Sequence, residues 1–84
     1  MKVKVHRVSI NEVPVVIYTE FIKLESFLKL ANAVDSGGVA KNVIQDSLVK
    51  VNGEICTMRG KKLRPGDRVE FAGQHFLICA NEAE

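Results

Sequence analysis

Five of the eleven residues from Met58 to Arg68 are lysine or arginine (Arg59, Lys61, Lys62, Arg64 and Arg68), and only Asp67 is acidic. Ammonium and guanidinium groups at this density neutralise phosphates and make charge-assisted hydrogen bonds, arginine in bidentate fashion. Two glycines and a proline, Gly60, Pro65 and Gly66, hold the run in loop and turn geometry. A positive loop of this kind presents several cations to one polyanion, so nucleic acid is the first partner to consider. The plain structural alternative is a solvated loop.

Other chemistry finds little support. His6 and His75 are far apart, each inside a strand-like stretch, and no serine or cysteine sits in a nucleophile-elbow pattern. His75 reads as a half-buried strand residue. A metal centre needs three or four converging ligands. His6, His75, Cys56 and Cys79 would supply them only if folding gathered all four. Gly37-Gly38 precedes a helix as a phosphate cradle would, but the rest of the P-loop pattern is absent, and a corner glycine explains the pair. The expectation is a protein without catalytic activity, cofactor or metal.

The elements that must position the cations read in three parts. Val3–Ile10 and Val13–Tyr18 carry strand patterns around a turn at Asn11-Glu12, which suggests an N-terminal hairpin. From Ile22 the period changes: Leu24, Phe27, Leu28 and Ala31 form one helix face, extended by Val34. Asp35-Ser36-Gly37-Gly38 ends that helix, and Ser36 is placed to cap a second one over about Gly38–Ser47. Val39, Ala40, Val43 and Ile44 form its apolar face. Strand signals follow at Leu48–Val51, Glu54–Thr57, Arg68–Ala72 and His75–Ala80, with turns at Asn52-Gly53, Pro65-Gly66-Asp67 and Ala72-Gly73. Asn52-Gly53 is the strongest of these, since both residues tolerate the positive φ of a tight hairpin turn. The predicted core is Leu24, Phe27, Leu28, Val43, Ile44, Val51 and Phe71.

At 84 residues this is one domain with one modest core. Hydrophobic residues make up 46% and charged ones 26%, as in a soluble globular protein. The net charge is only +2, but residues 21–68 carry nine Lys/Arg against five Asp/Glu. Cys56 and Cys79 form no Cys-x-x-Cys pair and read as reduced thiols of a cytoplasmic protein. The N-terminal residues have no continuous apolar run and read as neither signal peptide nor membrane span.

Lys23, Lys29, Lys41 and Lys50 all escape the apolar faces. With the helix pair packed on a small sheet, they can share one surface with Arg59, Lys61 and Lys62. Phe21, Phe27, Phe71 and Phe76 read as core, which leaves no aromatic platform for base stacking. The partner is then structured RNA, read by shape and phosphate.

Phe27-Leu28-Lys29-Leu30-Ala31, Ser36-Gly37-Gly38-Val39-Ala40-Lys41, Leu48-Val49-Lys50-Val51-Asn52-Gly53, Arg59-Gly60-Lys61-Lys62-Leu63 and Pro65-Gly66-Asp67-Arg68-Val69 occur in this order. The set resembles the alpha-L RNA-binding module, the domain type named after ribosomal protein S-four, and in particular its small stand-alone bacterial members. The resemblance covers about residues 22–71. It implies an α+β fold of two short helices on a small bent β-sheet, with RNA on the helix-pair and loop face. On this chain the implied RNA-facing residues are Lys23, Lys29, Gly38, Lys41, Lys50, Arg59, Lys61 and Lys62. Many members carry an RNA-contacting arginine after the helix-two serine. Here that position is Gly37, with Lys41 as a partial substitute. The expected division is an added N-terminal β-hairpin at 1–20, the binding domain at 21–80 and an acidic tail at 81–84. The implied role lies with ribosomal RNA, in ribosome assembly or translation. The alternative is a protein-interaction module that docks an acidic partner on the same face.

Overall fold

The computed structural model describes residues 12–81. Its elements are β1 (Glu12–Ile17), β2 (Ile22–Lys23), α1 (Leu24–Leu30), α2 (Gly37–Gln45), β3 (Val49–Val51), β4 (Glu54–Ile55), β5 (Lys62–Leu63), β6 (Arg68–Phe71) and β7 (Gln74–Ala80). Five strands form one sheet in the order β1-β7-β6-β3-β4, and β2 and β5 form a separate ribbon. The β1–β7 pairing is parallel, and all the others are antiparallel. The fold is α+β, with both helices between β2 and β3 in chain order.

Both helices end alike. Asn32 (φ 61°) and Ser47 (φ 64°) adopt the left-handed conformation. The amides that follow reach back five residues, Ala33 N–H to Leu28 O at 2.9 Å and Leu48 N–H to Val43 O at 3.1 Å. This Schellman geometry satisfies carbonyls that a helix end would leave unpaired. It also explains why α1 stops at Leu30, short of the predicted stripe: Val34 is buried from the connection and not from the helix. Ser36 caps α2 as expected, its Oγ accepting from the Val39 amide at 3.3 Å.

Leu24, Phe27, Leu28, Ile44 and Val51 are buried, while Val43 and Phe71 pack half-buried against them. Phe27 and Phe76 meet edge to face, centroids 5.9 Å apart, where the helices lie on the sheet. Val39, expected on the apolar face, is exposed, and so is His75.

The hairpin expected over residues 3–18 has its first strand outside the described residues, as do His6 and most of the acidic tail. Its second strand, β1, pairs along all six residues with β7, and Ile17 is part of the core. This strand therefore belongs to the main sheet. A parallel partner some sixty positions away leaves no trace in local periodicity, so the sequence shows the strand and not this pairing.

The turn at Asn52-Gly53 has both φ values positive, 52° and 87°, as its sequence demands. Asn52 does more than turn. Its Nδ2 donates to Asp67 Oδ1 at 3.1 Å, and its Oδ1 accepts from the Arg68 amide at 2.9 Å. Asp67 Oδ2 in turn accepts from the Arg64 amide at 2.8 Å. One side-chain pair thus ties the β3–β4 turn to the Arg64–Arg68 loop and fixes where the basic run re-enters the sheet.

Candidate nucleic-acid interface

The short β2–β5 ribbon organises the basic run. Ile22 pairs with Leu63 and Lys23 with Lys62. Leu63 is fully buried and Ile22 packs against the core, so that pair faces inward. Strand alternation then turns Lys23 and Lys62 outward. Just beyond the paired residues, Phe21 and Arg64 lie on the same outward side. The Lys62 ammonium stands 5.0 Å and the Arg64 guanidinium 5.7 Å from the Phe21 ring centroid.

The loop before β5 docks on the start of α1. The Leu24 amide donates to Lys61 O at 2.9 Å and the Glu25 amide to Arg59 O at 3.1 Å. These carbonyls satisfy amides that no side chain of Lys23, the N-cap residue, satisfies. The loop's backbone is thereby pinned and its side chains are left free to project. Arg59 leans toward Glu25 at 3.8 Å, with both side chains partly exposed, 45% and 33%. A pair so solvated is weak.

Lys23, Arg59, Lys61 and Lys62 are thus brought together around the first turn of α1. Lys23 serves β2 and the cap, not the body of the helix as its sequence context suggests. Lys29 sits in the last turn of α1 beside the start of α2: a Cβ at Gly37 would stand 3.8 Å from its Nζ. Gly38 and Lys41 are exposed on α2. Lys50 stands apart from the group. Its neighbours Val49 and Val51 face the core, so Lys50 lies on the opposite face of the sheet, between Glu70 and Ile55.

Two participants are not evident in the sequence. Arg64 falls in the basic run but has no pattern to single it out until β5 is seen. Phe21 reads as core but is half-buried beneath two cations. The signal is the alternation Phe21-Ile22-Lys23 set against Lys62-Leu63-Arg64, too short to register as strands. Arg68, by contrast, is engaged by Glu12, its Nε 2.5 Å from the carboxylate.

A family model for the S4 domain matches residues 15–79, and the chain belongs to that family. The match takes in the second half of β1 and most of β7, in keeping with their place in the sheet. The probable ribosome maturation protein RlbA of Bacillus subtilis (strain 168) is 48% identical over 60 residues, 71% of this chain and 84% of that protein. The putative RNA-binding protein YbcJ of Escherichia coli (strain K12) is 36% identical over 59 residues, 70% of this chain and 84% of the relative. The solution structure of YbcJ from E. coli, described as revealing an alfa-L motif involved in RNA binding, superposes with a TM-score of 0.61 at 30% identity. That likeness covers 94% of this chain and all of the other, and this chain carries the same alpha-L fold. No helix among the described residues is long and apolar enough to cross a membrane.

Proposed function

We propose that this protein binds structured RNA, ribosomal RNA in particular, without catalysing a reaction, and acts in ribosome assembly or maturation in the cytoplasm. The observation that carries the reading is the gathering of Lys23, Arg59, Lys61 and Lys62 at the start of α1, on an S4 domain, with the loop backbone already pinned. Lys41, Arg59, Lys61 and Lys62 form the centre of the binding face. Lys23, Lys29 and Gly38 extend it across the helix pair, while Lys50, on the opposite face of the sheet, is left out of it. The names of the relatives, a ribosome maturation protein and an RNA-binding protein, support the same role.

Such a face binds by displacing counterions from the phosphate backbone and discriminates among RNAs by the shape that lets several phosphates meet it at once. Recovery of the tagged protein after mild lysis, followed by sequencing of the RNA that accompanies it, tests this. Enrichment of ribosomal RNA over its cellular share is the expected result. RNA recovered only at its cellular proportions contradicts a ribosomal target. Binding that persists unchanged after ribonuclease treatment and in excess competitor RNA favours the acidic-protein alternative.

A further inference from the structure

The outward side of the β2–β5 ribbon gathers four side chains: Lys23 opposite Lys62, and just beyond the paired residues Phe21 with Arg64 over its ring. Like charges directly across an antiparallel pair repel, and a sheet ordinarily places opposite charges there. Here the repulsion is left standing. Among the described residues the ion pairs are Arg59–Glu25 and Arg68–Glu12, and neither involves Lys23, Lys62 or Arg64. Both Lys62 and Arg64 instead rest over the Phe21 ring, whose negative face holds cations without neutralising them. The ring thus gathers charge where an acidic residue would cancel it.

We propose that Lys23, Lys62 and Arg64 form a phosphodiester clamp preassembled on Phe21, which takes consecutive phosphates of an RNA backbone. The clamp rests on the RNA-binding reading above and adds to it Arg64 as a ligand and Phe21 as a positioning residue. A long cation normally loses rotamer freedom when it engages a phosphate. Phe21 orders two of them beforehand, so part of that loss is already met in the free protein. An incoming anion also relieves the Lys23–Lys62 repulsion. The ring itself is occupied by its two cations and therefore positions them and does not stack a base.

The test uses the full chain and a fluorescein-labelled RNA stem-loop, titrated by anisotropy at several salt concentrations. Lys62→Ala and Arg64→Ala should each flatten the slope of log affinity against log salt by about one. Phe21→Leu keeps the apolar bulk and every charge. It should weaken binding about two- to fivefold, the scale of an exposed cation–π contact, and leave the slope unchanged. In a Lys62→Ala/Arg64→Ala background, Phe21→Leu should have no further effect on affinity. An equal loss in both backgrounds would show that the ring acts through the fold, and would overturn its positioning role. Lys62→Glu guards against misreading a folding defect: it should melt no lower than the parent, having gained an opposite charge across from Lys23, yet bind the stem-loop more weakly. If the parent binds and the Lys62 and Arg64 variants retain its slope, the clamp is wrong while the RNA reading survives. If the parent fails to bind at any salt, the RNA reading itself falls.

Discussion

Four of the five cations of the Met58–Arg68 run have a partner of their own, and the partner decides their availability. Arg68 is held by Glu12, and Arg59 is shared with Glu25. Lys62 and Arg64 lie on Phe21, and neither joins an ion pair among the described residues. Among the described residues, Glu25 is the carboxylate ion-paired with a cation of the cluster, so it should act as a brake on anion binding. Glu25→Gln is expected to tighten RNA binding by a few-fold, measured by anisotropy, as Arg59 is released. Its effect on stability should be about 1 kcal/mol or less, because the pair is partly exposed and a first-turn carboxylate contributes only modestly to the helix. Weaker RNA binding by this variant, with unchanged melting, would place Arg59 outside the binding face.

At the scale of elements, the hairpin turns and the two-stranded ribbon hold the basic loop from both sides. Its start is pinned by hydrogen bonds from the Leu24 and Glu25 amides, and its end by Asp67 together with Asn52. Asp67→Ala removes the acceptor for the Arg64 amide and the partner of Asn52 at once. It should cost about 1–3 kcal/mol in denaturant melts, the usual range for lost hydrogen bonds to a charged group. A change close to zero would mean that the loop is held by its ribbon alone. Much of this level is legible beforehand. Asn52-Gly53 gives its turn outright, the i, i+3, i+4 stripe gives α1, and Ser36 gives the start of α2. What escapes is non-local or too short. The two-residue strands β2 and β5 have no period to detect, so Phe21 passes for core and Arg64 for an ordinary loop charge. Lys23 passes for a helix residue for the same reason. The parallel β1–β7 pairing depends on the rest of the sheet, so the strand at residues 12–17 is visible while its partner is not.

The whole molecule is one small core with a charged rim. Phe27 sits at its centre, fully buried and edge-on to Phe76, with helices on one side and sheet on the other. Phe27→Ala should cost about 3–5 kcal/mol, a large share of the stability of so small a domain. A near-zero loss in denaturant melts would contradict this packing. On the proposed reading, the rim is where RNA is met. Exposed loop charges contribute little to folding, so they can be altered while the core stands. The central claim is that the basic loop binds RNA through its phosphates. It is tested most directly by the salt dependence of binding to a structured RNA, with and without Lys61→Ala/Lys62→Ala. With about 4–5 phosphates neutralised, the parent should show log affinity falling against log salt with a slope of roughly −3 to −4. The double variant should flatten that slope by about one to two and weaken binding to different RNAs by similar factors, with its melting temperature preserved. An identical slope and affinity in a double variant that melts like the parent would contradict the account.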